Sequence, residues 1–300
     1  MRRREWLRSV ASAAVLLAAT GCANGSKKSG ADVASDAAEG TGTSGDVRAA
    51  LPDGVVSRRF GSAKITWIRD NEEGQMRANQ MFVGADSTRI AQWAPEGGVP
   101  TAIAAYLVEV DGKRILIDTA NGKPDSRLLP GLAALGIQPE AIDYIYITHF
   151  HGDHLGGMMK EGAPVFANAQ VYVSAPEYDA WMTSPALAGR RSQAEATMRA
   201  YEVRLRKFAF GDTLPGGILA MDAVGHTPGH TAFVVDKCLI GGDFVHGAAL
   251  QLAHPELCAR FDMDVPKSVE TRKRLMAYAK ENGMTLAGMH LPAPGFIERW

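Results

Sequence analysis

From about residue 51 onward, apolar residues form short runs that are separated by glycines, prolines and polar turns. This pattern is typical of short strands, and branched and aromatic residues dominate several of the runs. Residues 101–110 and 114–118 flank the pair Asp111-Gly112, which predicts a β-hairpin. The other predicted strands are residues 142–148, 170–174, 218–224, 231–236, 239–242 and, as the last strand, 284–289.

Helix-boundary residues mark several of the segments between these strands. Pro176 and Pro266 suit the first turn of a helix, and Gly136 and Gly283 suit the position just after one. The predicted helices cover residues 126–135, 176–182, 191–207 and 266–282. Strands that alternate with helices, together with the early hairpin, favour an α/β fold of the layered α+β kind over an all-parallel sheet.

The first 22 residues are organised like an export signal. Arginines at the start precede apolar residues 10–20, a run too short to span a bilayer and of the right length for a secretory signal. Residues 3–7 (RREWL) resemble the twin-arginine export signal. Residues 19–22 (ATGC) resemble a bacterial lipobox, in which Cys22 carries a lipid anchor; conventional cleavage nearby is the alternative. We therefore expect an exported, periplasmic lipoprotein.

Residues 23–50 contain no aromatic residue and consist mostly of alanine, glycine, serine and threonine. Such a segment cannot bury enough apolar surface to offset the entropy of ordering it, so we predict a flexible linker. Residues 51–300 are then the folded domain.

Composition narrows the class of partner. The formal net charge is -1, with 22% charged and 46% hydrophobic residues, which is ordinary for a globular domain. No basic excess points to nucleic acid, and membrane contact is expected only through Cys22. A small molecule is the expected substrate, and a homodimer is compatible with the sequence.

The richest group of candidate ligands follows the predicted strand 142–148. His149, His151, Asp153 and His154 lie within six consecutive positions, although the chain has only 8 histidines. Histidines two residues apart point the same way as a strand ends, so they can share one metal. Imidazole nitrogens and carboxylate oxygens together suit Zn²⁺ and its neighbours. The sequence therefore predicts a metal site at this strand end.

Residues 149–154 (HFHGDH) carry the pattern H-x-H-x-D-H and resemble the signature of the metallo-β-lactamase superfamily. The resemblance continues along the chain in residues 225–231 (GHTPGHT), 241–243 (GGD) and 288–290 (GMH). Residues 118–120 (DTA) are similar to the turn that supports the metal site in that family. The resemblance implies an αββα sandwich with the site at one edge, where loops of both sheets meet.

The resemblance also implies two divalent metal ions, most simply Zn²⁺, with manganese, iron or cobalt as alternatives. His149, His151 and His230 would hold the first metal. Asp153, His154 and His290 would hold the second metal. Asp243 would bridge the metals, with a bridging hydroxide as the nucleophile, so Asp153 and Asp243 count as catalytic residues. His226 is expected to be an orienting histidine in its tight turn.

Asp243 also separates branches of the family, because the β-lactam-hydrolysing members lack the bridging aspartate. Residues 242–246 (GDFVH) and 261–262 (FD) most resemble the branch that holds methyl parathion hydrolase and N-acyl homoserine lactonases. This favours hydrolysis of a lactone or ester. The alternatives are hydrolysis of an aryl phosphotriester and, from another class, a metal-binding sensor without activity.

Substrate contacts are expected from four further residues. His246 is a candidate proton donor to the leaving group, with a pKa suited to neutral pH. Trp181, Phe82 and Trp93 are candidates for an aromatic wall of the substrate pocket, although a core position for Trp181 is the other interpretation. Asp262 is expected either beside the metal site or as an ordinary polar loop residue.

Overall fold

The structure, a computed structural model, describes residues 52–300. The predicted export signal, Cys22 and the predicted linker therefore lie outside the described residues. Two mixed sheets form the centre of the domain, and in both of them the order of strands in space follows the order in the chain. The first sheet contains β1 (Val55–Phe60), β2 (Ala63–Arg69), β3 (Ala104–Val110), β4 (Lys113–Ile117), β5 (Tyr144–Tyr146), β6 (Gln170–Ser174) and β7 (Leu205–Phe208).

Neighbouring strands are antiparallel from β1 to β4 and parallel from β4 to β7. The second sheet is antiparallel except for its β11–β12 pair. Its strands are β8 (Thr213–Leu214), β9 (Ile218–Asp222), β10 (Thr231–Val235), β11 (Cys238–Ile240), β12 (Thr285–Ala287) and β13 (Phe296–Ile297). The predicted mixed α/β class is thus confirmed.

Three short strand pairs lie outside the two main sheets: Met76–Ala78 with Gly98–Pro100, Phe82–Val83 with Cys258–Ala259, and Met159–Lys160 with Ala163–Pro164. The α-helices of the described chain are α1 (Ser87–Trp93), α2 (Leu128–Ala134), α3 (Gly152–Leu155), α4 (Ala175–Thr183), α5 (Ser192–Ala200), α6 (Ala248–Gln251) and α7 (Val265–Glu281). Short 3-10 turns are Asn79–Met81, Pro139–Ala141, Gly156–Met158, Pro185–Leu187 and Glu202–Arg204. Within residues 52–300, no helix has the length and apolar character that crossing a membrane requires.

The two main sheets pack face to face. Trp67 and Tyr106 of the first sheet share one buried cluster with Phe233 and Ile240 of the second. Side chains alternate along each strand, so the neighbours of these residues point the other way. This apolar core fills the space between the two β-sheets, as in an αββα sandwich.

Helices cover the outer face of each sheet. Leu107 of β3 packs with Leu132 of α2 and Met198 of α5 in a second buried cluster. On the opposite side, Leu286 of β12 packs with Leu275 of α7. Because β3 is buried on both faces, its sequence is almost continuously apolar, as expected for an inner strand of a layered fold.

The structure corrects several of the predicted elements. The helix predicted over residues 191–207 ends at Ala200, and Leu205–Phe208 pairs with β6 as a strand. Pairing at the sheet edge therefore overrides the helical pattern in the second half of that segment. The strand over residues 284–289 was predicted to be the last one, but β13 follows it. β13 pairs with β12 and forms the edge of the second sheet.

Candidate metal centre

The candidate ligands lie in segments that follow the carboxyl ends of strands, and Asp153 and His154 are in the short helix α3. His149 and His151 follow β5, Asp243 follows β11, and His290 follows β12. The strand predicted over residues 142–148 is shorter than expected, because Thr148 leaves the sheet and its amide donates to Asp118. The two sheets thus bring residues that are far apart in sequence to one edge of the sandwich.

One group of ligand atoms consists of His149, His151, His226 and Asp243. His151 Nδ1 lies 3.0 Å from His149 Nε2 and 2.9 Å from His226 Nε2. Asp243 Oδ2 lies 3.8 Å from His149 Nε2 and 3.4 Å from His226 Nε2. We refer to these four residues as the first ligand group.

A second ligand group consists of Asp153, His154 and His290. Asp153 approaches His154 Nε2 at 3.7 Å and His290 Nε2 at 3.5 Å. Asp243 also reaches this group, with Oδ1 3.2 Å from His154 Nε2 and Oδ2 3.1 Å from His290 Nε2. Asp243 therefore lies between the two groups, at the place expected for a bridging carboxylate.

The hydrogen bonds around the histidines leave lone pairs directed at this space. Thr148 Oγ1 lies 2.7 Å from Asp118 Oδ2 and 3.0 Å from His149 Nδ1. Because its proton goes to the carboxylate, the hydroxyl must accept from His149 Nδ1, and His149 Nε2 then carries a lone pair. Similarly, His154 donates through Nδ1 to Asp118 over 2.7 Å.

Two buried atoms at the centre, His154 Nε2 and Asp243 Oδ1, lie 3.2 Å apart without the angles of a hydrogen bond, and neither has a hydrogen-bond partner within the described chain. Unpaired buried polar atoms are costly, so such atoms indicate a missing ion or ligand. A divalent cation would give these atoms a partner and would accept the lone pairs of neighbouring imidazoles. The residues present therefore fit the divalent metals that the family resemblance implies.

The structure places His226, and not the predicted His230, among the candidate ligands. His230 Nδ1 donates to the Ala223 carbonyl over 2.8 Å, and Nε2 accepts from the Asp243 amide over 3.0 Å. Both nitrogens of His230 are therefore used by the backbone, so the expectation of His230 as a ligand and of His226 as the orienting residue is corrected. Gly242 has φ +58, and a Cβ there would overlap His230.

Asp118 orients residues of both ligand groups, His154 directly and His149 through the Thr148 hydroxyl. It accepts hydrogen bonds from the Thr148 amide, the Thr148 hydroxyl and His154 Nδ1. Asp118 and Ala120 both have positive φ, at 59° and 56°. Such conformations are strained for residues with a Cβ and persist where the surroundings fix them, as expected of a turn that orients ligands.

Asp262 supports His226 in the same way. His226 Nδ1 lies 2.8 Å from Asp262 Oδ1, so Nε2 faces His151 and Asp243. Asp262 is buried next to Arg272, whose guanidinium lies 3.5 Å away and also donates to the Phe244 carbonyl. Of the two interpretations left open for Asp262, the structure favours a place beside the metal site.

Glu177 is a residue that the sequence analysis missed. Its buried carboxylate accepts hydrogen bonds from the Phe150 amide, the Thr227 hydroxyl and the Gly229 amide. It therefore ties together the two loops that carry His149, His151 and His226. Its position in the first turn of α4 resembles any helix start, so the sequence held no signal for this role.

The electrostatics of the centre suit a cation. Burial lowers the pKa of His149 well below its usual range, and burial with the neighbouring His226 lowers the pKa of His151 to about 3. Burial opposes ionisation of Asp243, but the imidazoles of His154 and His290 hold the pKa of this carboxyl well below its usual range. At neutral pH the centre therefore presents the neutral imidazoles of His149 and His151 and the anionic carboxylate of Asp243. Burial opposes protonation of His154, but the carboxylates of Asp243 and Asp118 raise the pKa of this imidazole well above its usual range, so His154 has to release a proton when it binds a metal.

His246 lies beside the centre but differs from the expectation. Its Nε2 lies 3.1 Å from Asp243 Oδ2, and its ring stacks on His290 with centroids 5.2 Å apart. Burial lowers the pKa of His246 to about 4, below the near-neutral value expected from the sequence, so the imidazole is neutral near pH 7. Neither ring nitrogen has a hydrogen-bond partner in the described chain.

Two residues of the predicted aromatic wall, Trp181 and Phe82, are buried, and the third, Trp93, is half-buried. Trp181 is 2% exposed and lies beneath His151, with ring centroids 5.9 Å apart, so the core interpretation of Trp181 applies. Phe82 is 3% exposed, and Trp93 stacks on His254 with centroids 3.6 Å apart. The exposed aromatic ring near the centre is Phe261, 37% exposed and 5.9 Å from the His246 ring.

Comparison with known proteins agrees with this geometry. The family model of the metallo-beta-lactamase superfamily matches residues 98–281, which is more than half of the chain, and the protein belongs to that superfamily. A hydroxyacylglutathione hydrolase of Methylobacillus flagellatus is 30% identical over 146 residues, covering 48% of this chain and 47% of that protein. The chain thus spans about half the length of the hydroxyacylglutathione hydrolases it matches.

Solved structures share the fold over most of the described chain. The crystal structure of hydrolase AbOPH of the beta lactamase superfamily has a TM-score of 0.75 and 29% identity, covering 81% of this chain and 92% of that one. The dizinc quorum-quenching lactonase AidC has a TM-score of 0.70 and 23% identity over the same shares. The predicted αββα sandwich is confirmed.

Proposed function

We propose that this protein is a two-metal hydrolase that opens a lactone or cleaves a carboxylic ester. The observation that carries the proposal is the place of Asp243, whose Oδ1 and Oδ2 lie 3.2 Å from His154 Nε2 and 3.4 Å from His226 Nε2. One carboxylate thus serves ligand groups on both sides. Apart from the shared Asp243, each group offers three protein ligands, the number typical of catalytic zinc sites, whereas structural zinc sites have four.

His149, His151 and His226 would hold one cation, and Asp153, His154 and His290 the other. Their nitrogen and oxygen atoms suit Zn²⁺, with manganese, iron or cobalt as alternatives. When bound, two divalent cations supply Lewis acidity toward a substrate oxygen and lower the pKa of bound water. We infer that the neutral His246 donates a hydrogen bond to the leaving oxygen, because its ring lies beside Asp243 and has an unpaired nitrogen.

Hydrolysis of an aryl phosphotriester is the second candidate. It is favoured by the exposed ring of Phe261 close to His246, because an aryl leaving group needs an aromatic wall more than a proton donor. Both substrate types present an oxygen to a cation, so the metal ligands themselves do not discriminate between them.

A panel assay separates these functions. Purified, zinc-loaded protein is tested on a lactone, an aryl ester, an aryl phosphotriester, a thioester and a β-lactam. We expect the highest kcat/KM on the lactone or the ester. A higher kcat/KM on the phosphotriester supports the second candidate. Full metal content with no turnover on any member contradicts both and supports a metal-binding sensor.

We also propose export and anchoring through Cys22, supported by the sequence of residues 1–22. Changing Arg3 and Arg4 to lysine keeps the charge, and should block twin-arginine transport because a receptor reads the pair. Cys22→Ser should move the protein from the membrane fraction to the soluble periplasmic fraction. Normal export of the arginine variant, or continued membrane association of the serine variant, contradicts the corresponding part.

A further inference from the structure

Arg77 lies at the edge of the metal centre, on the short strand Met76–Ala78 that pairs with Gly98–Pro100. One of its terminal nitrogens lies 3.3 Å from Nδ1 of His290. The other nitrogen of the same ring, Nε2, faces Asp243 at 3.1 Å. The imidazole ring of His290 therefore lies between the Arg77 guanidinium and Asp243 at the proposed reaction site.

This guanidinium has no acceptor in the described chain. His290 Nδ1 lies 2.8 Å from the Ala102 carbonyl, which can only accept, so Nδ1 carries a proton and cannot also accept from Arg77. The buried Nε of Arg77 has no partner, and no carboxylate of residues 52–300 lies within ion-pair distance. In contrast, the buried Arg272 reaches Asp262. An arginine side chain donates hydrogen bonds and accepts none, so the cationic side chain of Arg77 has no anionic partner among residues 52–300.

An aromatic ring holds the guanidinium in place. Its central carbon lies 5.3 Å from the centroid of Phe261, a distance typical of a cation–π contact. The exposed Phe261 ring also lies near His246, with ring centroids 5.9 Å apart. Arg77 and Phe261 thus form a rim with one charged and one apolar element next to the ligand groups.

We propose that Arg77 binds an anionic group of the substrate, a carboxylate or a phosphoryl oxygen, that lies close to the scissile bond. This deepens the proposed function, on which it rests, by naming the substrate class as an anionic ester or lactone. A guanidinium matches such oxygens with paired hydrogen bonds, and these charge-assisted bonds are among the strong ones. Phe261 would contact the apolar part of the same substrate.

Matched chromogenic pairs test the proposal, since each pair keeps the leaving group and changes one charge. The carboxylate arm compares mono-4-nitrophenyl glutarate with 4-nitrophenyl valerate. The phosphoryl arm compares methyl 4-nitrophenyl phosphate with dimethyl 4-nitrophenyl phosphate. We expect the zinc-loaded enzyme to prefer the anionic member in at least one arm, and the arm that responds identifies the anion.

Arg77→Gln should lower kcat/KM for the anionic member of that pair by about tenfold or more, and leave the neutral member within about threefold. Arg77→Lys should restore part of the loss, because it keeps the charge. Arg206→Gln is the matched control, as it removes the same charge from β7, where the guanidinium bonds only carbonyls of its own segment. Equal losses on both members, or an anionic preference that Arg77→Gln leaves intact, would overturn the proposal.

A binding measurement decides the matter even if neither pair is hydrolysed, so the anion site is tested separately from the proposed function. Calorimetry compares the amide analogues N-(4-nitrophenyl)glutaramic acid and N-(4-nitrophenyl)valeramide on zinc-loaded protein. Tighter binding of the acid by about tenfold, lost in Arg77→Gln and kept in Arg206→Gln, supports the anion site. Binding of the acid that is unchanged in Arg77→Gln, or no preference for the acid, contradicts it.

Discussion

His226 donates through Nδ1 to Asp262 Oδ1 over 2.8 Å, and this single hydrogen bond decides which nitrogen faces the centre. With Nδ1 engaged, Nε2 of His226 lies 3.4 Å from Asp243 and 2.9 Å from His151. His230, four residues later, uses both ring nitrogens on the backbone. One motif therefore supplies a ligand and a loop-supporting histidine.

Exchange of these two histidines for alanine separates their roles. We expect His226→Ala to lower the metal content after dialysis, because it removes a ligand of the first group. His230→Ala should keep the metal content and lower the Tm, because the Asp243 amide and the Ala223 carbonyl lose a partner. Elemental analysis and thermal unfolding measure both. Metal loss in His230→Ala alone would contradict the correction.

Asp262→Asn tests the support behind His226. The amide keeps the shape, but an –NH₂ group replaces one of the oxygens that accept from His226, the Ala259 amide and Arg272. Loss of such a partner typically lowers metal affinity by about 10–100-fold, and we expect a loss in this range from competition with a chelator. Asp179→Asn, in an exposed ion pair with Lys207, is the control and should bind metal like the wild type. Unchanged affinity in Asp262→Asn would show that Asp262 does not orient His226.

Glu177 should give the folding stability a distinct pH dependence. Burial raises the pKa of this carboxyl above 4.5, although three hydrogen bonds to Phe150, Thr227 and Gly229 oppose the shift. Between 4.5 and the raised pKa the folded state binds more protons than the unfolded state, so this contribution to stability falls as pH rises. This contribution of Glu177 to stability is fully present below pH 4.5, and the Glu177→Gln variant lacks it at every pH.

The Tm of the wild type minus that of Glu177→Gln should therefore decrease as pH rises from below 4.5 toward neutrality. Glu281→Gln, at the exposed end of α7, is the matched control and should give a flat difference. A difference for Glu177→Gln that grows with pH would mean that the hydrogen bonds outweigh burial.

Trp181→Ala should act on stability, because the side chain is 2% exposed in the core beneath His151. Truncation of a buried tryptophan costs about 3–5 kcal/mol, which urea unfolding can measure. Phe261→Ala is the comparison, since its 37% exposed ring should affect KM for aryl substrates more than stability. A normal free energy of unfolding with a selective rise in KM for Trp181→Ala would restore Trp181 to the substrate wall.

The sequence predicted the class of fold and the strand ends that carry ligands. Alternating apolar segments fix which strands are buried, and the spacing of His149, His151, Asp153 and His154 is local enough to be seen along the chain. Helix α7 was also predictable, because Asp264 caps its start and Gly283 follows its end.

Other features depend on contacts between distant segments. The sequence offers His226 and His230 with the same chemistry, and only the partner of Nδ1, Asp262 in one case and Ala223 in the other, separates them. Arg77 is more than two hundred residues from His290, and burial of Trp181 depends on how α4 packs. No local pattern contains such information.

The number of metal ions per chain, measured with the effect of Asp243→Ser, tests the account most directly. We predict about two ions per chain in zinc-loaded protein, and activity on the best panel substrate lower by at least about 10²-fold in Asp243→Ser. Asp153→Ala should reduce the metal content toward one ion, because it removes a ligand of the second group alone. A content of one ion that Asp153→Ala leaves unchanged, with near-normal activity of Asp243→Ser, would contradict the two-metal centre.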